Sequence, residues 1–115
     1  MRAASLSFLK NVLATPSPSG YEQSVQSLWR DYVGGFADVT TDYHGNTIGT
    51  INPKGSPRVM FAGHCDEIGF LVRYIDDNGF LYFGPIGGFD ETIIPGRRVH
   101  IHTADGPVPG VIGKT

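Results

Sequence analysis

The chain has 115 residues, with 9 Lys and Arg against 11 Asp and Glu, for a net charge of −2. That balance gives no electrostatic ground for nucleic acid or a membrane surface as partner, and the length admits one domain with a modest core. A single cysteine, Cys65, excludes an intrachain disulfide and suits a reducing cytoplasm, while 16 Gly and 8 Pro imply many turns between short strands.

Leu6, Leu9 and Leu13, with Phe8 and Val12, recur at spacings of three and four and predict a helix from Ser5 to Ala14. Pro16 and Pro18 end it. Leu6-Ser7-Phe8-Leu9 runs straight into Lys10-Asn11, too short an apolar stretch for a signal peptide, and no segment reaches the ~20 apolar residues of a membrane helix. Ser19, with Glu22 three positions on, reads as an N-cap for a second helix from Tyr21 to Tyr32, on which Val25, Leu28, Trp29 and Tyr32 keep helical spacing as core residues. Gly34-Gly35 stops it.

From Phe36 the signals become β-like. Phe36 to Asp42 and Thr47 to Ile51 flank the turn Tyr43-His44-Gly45-Asn46, which predicts a hairpin with His44 as a loop residue. After the loop Asn52 to Pro57, Arg58-Val59-Met60-Phe61-Ala62-Gly63 is apolar without alternation, as in a central strand buried on both faces. Such a strand expects neighbours that this chain does not supply, which predicts self-association. Ile68 to Ile75 and Phe80 to Phe83 bracket a turn at Asp76-Asp77-Asn78-Gly79. Gly84 to Gly96 reads as an irregular loop, after which Arg97 to Thr103 and Val108 to Ile112 bracket Ala104-Asp105-Gly106-Pro107. Val99 and Ile101 alternate with His100 and His102, which places both histidines outward rather than on a metal.

His64 stands immediately beyond the apolar run, and functional groups of α/β sheets gather at the carboxyl ends of such strands. In an extended chain His64 and Asp66 project to one side, Cys65 and Glu67 to the other. A His-x-Asp pair can give an imidazole to a metal and a carboxylate to orient it, because a ligating imidazole must be neutral with its second nitrogen held by an acceptor. The same residues also suit a hydrogen-bonded histidine at a strand end. Cys65, facing away, reads as a small packed apolar residue. The adjacent carboxylates Asp66-Glu67, Asp76-Asp77 and Asp90-Glu91 do not make a glycosidase pair, since neighbours on a strand face opposite ways.

Pro18-Ser19-Gly20-Tyr21-Glu22, Asp42 with Gly45-Asn46, and Ala62-Gly63-His64-Cys65-Asp66-Glu67-Ile68-Gly69-Phe70 resemble successive signatures of the M42 family of metallo-aminopeptidases. Ile94-Pro95-Gly96-Arg97-Arg98-Val99 and Val108-Pro109-Gly110-Val111-Ile112-Gly113 are similar to the segments that follow in that family. The resemblance runs in order from Phe8 to the end of the chain.

It implies an α/β fold: two N-terminal helices and the first strands of a zinc-peptidase-like sheet, then an antiparallel β-rich portion like a PDZ barrel. Residues 1–70 would begin the catalytic domain and 71–115 an inserted dimerisation domain. It implies a cytoplasmic, homo-oligomeric hydrolase that removes N-terminal residues from peptides with two zinc or cobalt ions, in a family that builds shells of twelve subunits. Some relatives are called glutamyl aminopeptidases and some endoglucanases. His64 would be one metal ligand, and Asp66 the carboxylate that orients the site. Cys65 stands where many relatives carry methionine.

Family members run to about three times this length, and the resemblance assigns their other ligands and general base to the part absent here. Two-metal hydrolysis needs a bridging carboxylate and a base, so the expectation for the 115-residue chain is weak metal binding and no turnover. A reading from another class is a non-catalytic β-rich oligomerisation or peptide-contact module.

Overall fold

Among the described residues three antiparallel hairpins follow a pair of helices, and no hairpin is joined to another by strand pairing. The computed structural model describes residues 2–114. Helix α1 spans Ala3–Ala14 and α2 spans Gln23–Val33. They meet through Phe8 and Tyr32, whose rings stack with centroids 3.9 Å apart, while Phe36 meets Tyr32 edge-on.

Helix α2 starts two residues later than its periodicity suggests, and Ser19 does not cap it. Glu22 occupies the N-cap position, and its carboxylate accepts the Gly20 N–H at 2.7 Å instead of capping the helix. The chain between the helices is a turn closed by the Tyr21 N–H on the Pro18 carbonyl, at 2.8 Å, with Gly20 at φ +90°. Positive φ at the third turn position is the signature of a type II turn, which glycine adopts without strain. Ser19 is thereby turned away from the helix.

Strands β1 (Asp38–Thr41) and β2 (Thr47–Thr50) form the first hairpin. Asp42 organises its turn, accepting the backbone N–H groups of His44 and Asn46 and the Asn46 side-chain amide at 2.8 to 2.9 Å. Helix α2 lies on β2 through a close approach at Gly49, where an added Cβ would stand 2.8 Å from Val33 Cγ1 and 3.1 Å from the Trp29 ring.

Strands β3 (Gly69–Ile75) and β4 (Leu81–Ile86) make the second hairpin, with Asp76 accepting the N–H groups of Asn78 and Phe80 across the turn. Strand β4 extends through Gly84 and Pro85, so the irregular segment is shorter than its glycines suggest. A 3-10 turn at Glu91–Ile93 follows, started by Asp90, which accepts from the Thr92 N–H and hydroxyl. Phe70 contacts Phe83 and Phe89 edge-on, a small aromatic cluster under this turn.

Strands β5 (Arg98–Thr103) and β6 (Gly106–Val111) close the third hairpin around Ala104-Asp105. The turn is two residues shorter than the sequence implies, because Pro107 belongs to the strand. Pro107 and Pro109 stand opposite His102 and His100, with the hydrogen-bonding positions left to Thr103–Gly106, Ile101–Val108 and Val99–Gly110. The missing N–H groups thus fall on the outer edge of β6, where proline is tolerated and blocks further pairing. Gly96 and Arg97 both bond Ile112, with Gly96 at φ +80°, a glycine bulge that bends the entry to β5. His100 and His102 face outward as expected.

The expected central strand does not form. Residues 58–63 pair with no strand among the described residues, and Phe61 is 96 % exposed. A strand is defined by its partners; an apolar run without them stays single. The buried apolar core of the described residues is accordingly small, consisting of Val25, Val33 and Ile112. The radius of gyration is 18.2 Å, against about 13 Å for a compact domain of this length. The modest single core expected from length is therefore not what forms.

Candidate metal-ligand site

His64 sits at the end of the unpaired segment, and Asp66 turns back onto it. Asp66 Oδ1 lies 2.8 Å from His64 Nδ1, and the Asp66 carbonyl oxygen lies 3.2 Å from the same nitrogen. A carboxylate only accepts, so Nδ1 carries the proton and donates. In the neutral ring Nε2 is then the lone-pair nitrogen, on a side chain that is 86 % exposed. That is the tautomer a metal needs, with the second ring nitrogen held by a carboxylate.

Asp66 is held in turn from the opposite side. The Ser19 hydroxyl donates to Asp66 Oδ2 at 2.5 Å, within the range of charge-assisted O–H···O⁻ bonds. The Ser19 hydroxyl, and after it the His64 ring, hold the Asp66 carboxyl below the usual carboxylate range, against the opposing effect of desolvation. Both carboxylate oxygens are thus engaged.

Glu67 anchors the same loop. Its Oε1 accepts the Ser17 N–H at 2.9 Å, its own N–H donates to the Ser17 carbonyl at 2.9 Å, and Pro18 and Glu67 form a parallel bridge. Gly69 admits Pro18, because an added Cβ there would stand 2.8 Å from Pro18 Cβ. The turn after α1 is therefore fastened to residues 66–69 at three points. Sequence reading missed Ser17, Ser19 and Glu67; the one available signal was that Pro18-Ser19-Gly20 and Asp66-Glu67 both belong to the quoted motifs.

Cys65 is exposed rather than packed, with the Gln26 side-chain amide 3.8 Å from its sulfur. No apolar neighbour covers it among the described residues, as none covers the segment before it. His44 stays in its turn, and His102 lies 6.2 Å from the Tyr21 ring, between centroids, without joining His64. Among the described residues no three His, Cys, Asp or Glu side chains converge as a metal cage. The residues present fit a single imidazole ligand with its orienting carboxylate.

The sequence model of the M42 glutamyl aminopeptidase family matches residues 45–115. The chain belongs to the M42 aminopeptidase family. This M42 chain is 39 % identical over 109 residues to the lysyl aminopeptidase of Pyrococcus furiosus, an alignment covering 91 % of it and 31 % of that enzyme. Its fold matches a TET aminopeptidase from a marine sediment Thaumarchaeota archaeon with a TM-score of 0.91 and 32 % identity, over 97 % of this chain and 32 % of that one. It also matches the Pyrococcus horikoshii TET1 peptidase, described as assembling into a tetrahedron or a large octahedral shell, with a TM-score of 0.83 and 37 % identity, over 96 % of this chain and 33 % of that one. The M42 chain therefore spans about a third of the length of the relatives it matches. The mixed α/β architecture, two helices and small antiparallel sheets, is the one these neighbours share. No helix among the described residues is long and apolar enough to cross a membrane.

Proposed function

We propose that this chain carries one ligand of a dinuclear aminopeptidase centre, His64, with Asp66 as the carboxylate that orients it. The observation that supports the reading is the 2.8 Å contact of Asp66 Oδ1 with His64 Nδ1, which in the neutral ring leaves Nε2 free to take a metal. The bound ions, zinc or cobalt, would supply Lewis acidity and an activated water for hydrolysis of an N-terminal peptide bond. His64 would hold one of them through Nε2; Asp66 would fix the ring without binding. In this reading residues 1–70 begin the catalytic domain with its zinc-peptidase-like sheet, and 71–115 begin the PDZ-like dimerisation domain in a cytoplasmic homo-oligomer.

A bridging carboxylate, a base and further ligands are required as well. Both Asp66 oxygens already accept, from Ser19 and His64, and Glu67 Oε1 accepts from Ser17, so both carboxylates are committed to holding this loop and the base is assigned elsewhere. The same engagement argues against a glycosidase role, which needs two free carboxyl groups across one bond. On this reading the 115-residue chain binds metal weakly and does not turn over.

Titration of the chain and of His64→Ala with Zn²⁺ and Co²⁺, alongside an aminoacyl chromogenic substrate, tests the proposal. Weak binding lost in His64→Ala, with no turnover, is the expected result. Equal binding by both proteins removes His64 from the site. Turnover by the 115-residue chain refutes the need for further ligands and favours a complete site within it.

A further inference from the structure

We propose that Ser19 is a positioning residue of this site, locking the Asp66 carboxylate in the orientation that fixes the His64 tautomer. The inference rests on the reading of His64 as a metal ligand. It adds a group 47 residues away in sequence, on a turn between two helices.

An aspartate next to a histidine can rotate about its two side-chain torsions, and the His64 ring has a second acceptor, the Asp66 carbonyl oxygen at 3.2 Å. A carboxylate held only by His64 could swing into water and leave the ring to the weaker carbonyl contact. Ser19 prevents this by binding the other oxygen, Oδ2, at 2.5 Å while Oδ1 keeps Nδ1 at 2.8 Å. With one oxygen tied to each partner the carboxylate plane is fixed, and with it the ring that donates to it.

Ser19 is itself rigidly presented. It occupies the second position of the turn closed by Tyr21 N–H on the Pro18 carbonyl, with Gly20 at φ +90° at the third. Residue 17, two positions before it, is bonded in both directions to Glu67, the residue after Asp66. The distance between the Ser19 hydroxyl and Asp66 is thus set by backbone on both sides. A hydroxyl is suited to the task because it donates one bond to the carboxylate without bringing a charge that would compete with the metal.

The test uses an isosteric pair in the full 115-residue chain, Ser19→Thr and Ser19→Val, which differ by the hydroxyl and little in shape. Nitrogen-15 NMR of the His64 ring at a pH where it is neutral reports the tautomer without any metal. The expected result is that wild type and Ser19→Thr hold the Nδ1–H tautomer, whereas Ser19→Val moves to a mixture of both tautomers. Zn²⁺ affinity should fall in parallel, about tenfold or more in Ser19→Val, as for loss of an outer-sphere partner. Identical His64 ring signals in the Thr and Val variants overturn the inference, whatever the metal does. So does a shared loss in both, which would mark a loop defect independent of the hydroxyl. Metal binding that survives His64→Ala instead removes the ligand reading while leaving the tautomer result in place, so the two failures are distinguishable.

Discussion

Ser17 and Glu67 hold each other in both directions: the Ser17 N–H donates to Glu67 Oε1, and the Glu67 N–H donates to the Ser17 carbonyl, each at 2.9 Å. Ser17 is buried, so its N–H has no ready substitute in water once the carboxylate is removed. Glu67→Ala should destabilise the chain by about 1 to 3 kcal/mol, the cost of an unmet buried donor. Glu67→Gln, which keeps an acceptor oxygen, should lose less. Urea denaturation measures both, and an unchanged midpoint for Glu67→Ala would show that the reciprocal pair contributes nothing.

A second fastening is steric. Gly69 opens β3 where Pro18 crosses it, and a methyl group placed there meets Pro18 Cβ at 2.8 Å, closer than two carbons can stand. Gly69→Ala should push the turn off residues 66–67 and cost about 1 to 3 kcal/mol, as overpacking does. Gly113→Ala is the matched control, since a Cβ there meets nothing within 4 Å. Proton shifts of the Ser17 and Glu67 amides check the prediction directly; if they stay put in Gly69→Ala, the close approach is not restrictive.

The parts of this architecture that could be read in advance are the local ones. Asp42 with Gly45-Asn46 and Asp76 with Gly79 build their turns from residues within four positions, so the hairpins they close follow from composition alone. The alternation of Val99 and Ile101 with the outward histidines is likewise local. Ser19 shows where this stops. Its place before Gly20-Tyr21-Glu22 fits an N-cap as well as a ligand for Asp66, and only the docking of residues 17–19 on 66–67 decides between them. The run Arg58 to Gly63 fails for the opposite reason: its apolar content marks a strand, but a strand's existence depends on a neighbour, which no property of the run itself records.

Acid should loosen the first hairpin at its turn. The Asn46 side-chain amide, with smaller help from the backbone N–H groups of Asn46 and His44 and from the His44 charge, holds the Asp42 carboxyl below its ordinary value despite some desolvation. A lowered value in the folded state means that the stabilisation is complete above the unfolded aspartate value and is lost as pH falls through the folded one, below about pH 4. The His44 and Asn46 amide shifts should therefore titrate together below pH 4, and Asp42→Asn should abolish that transition. Titration of these amides at or above the ordinary aspartate value would contradict the turn geometry.

The bare segment gives the last prediction. Val59, Met60 and Phe61 are exposed side by side at 72, 86 and 96 %, and Ile48 and Ile51 add further uncovered apolar surface. Burying a side chain of this size is worth about 1.5 to 3 kcal/mol, so three in one run give a strong drive to find cover. An unpaired extended segment also presents free N–H and C=O groups to another chain. The chain should therefore associate with itself in a concentration-dependent way, and Phe61→Lys should weaken that association by placing a charge where the contact would be. Light scattering after size exclusion measures both. A monodisperse monomer of the unaltered chain at high concentration would show that these residues stay in water, and an association untouched by Phe61→Lys would place the contact away from this run.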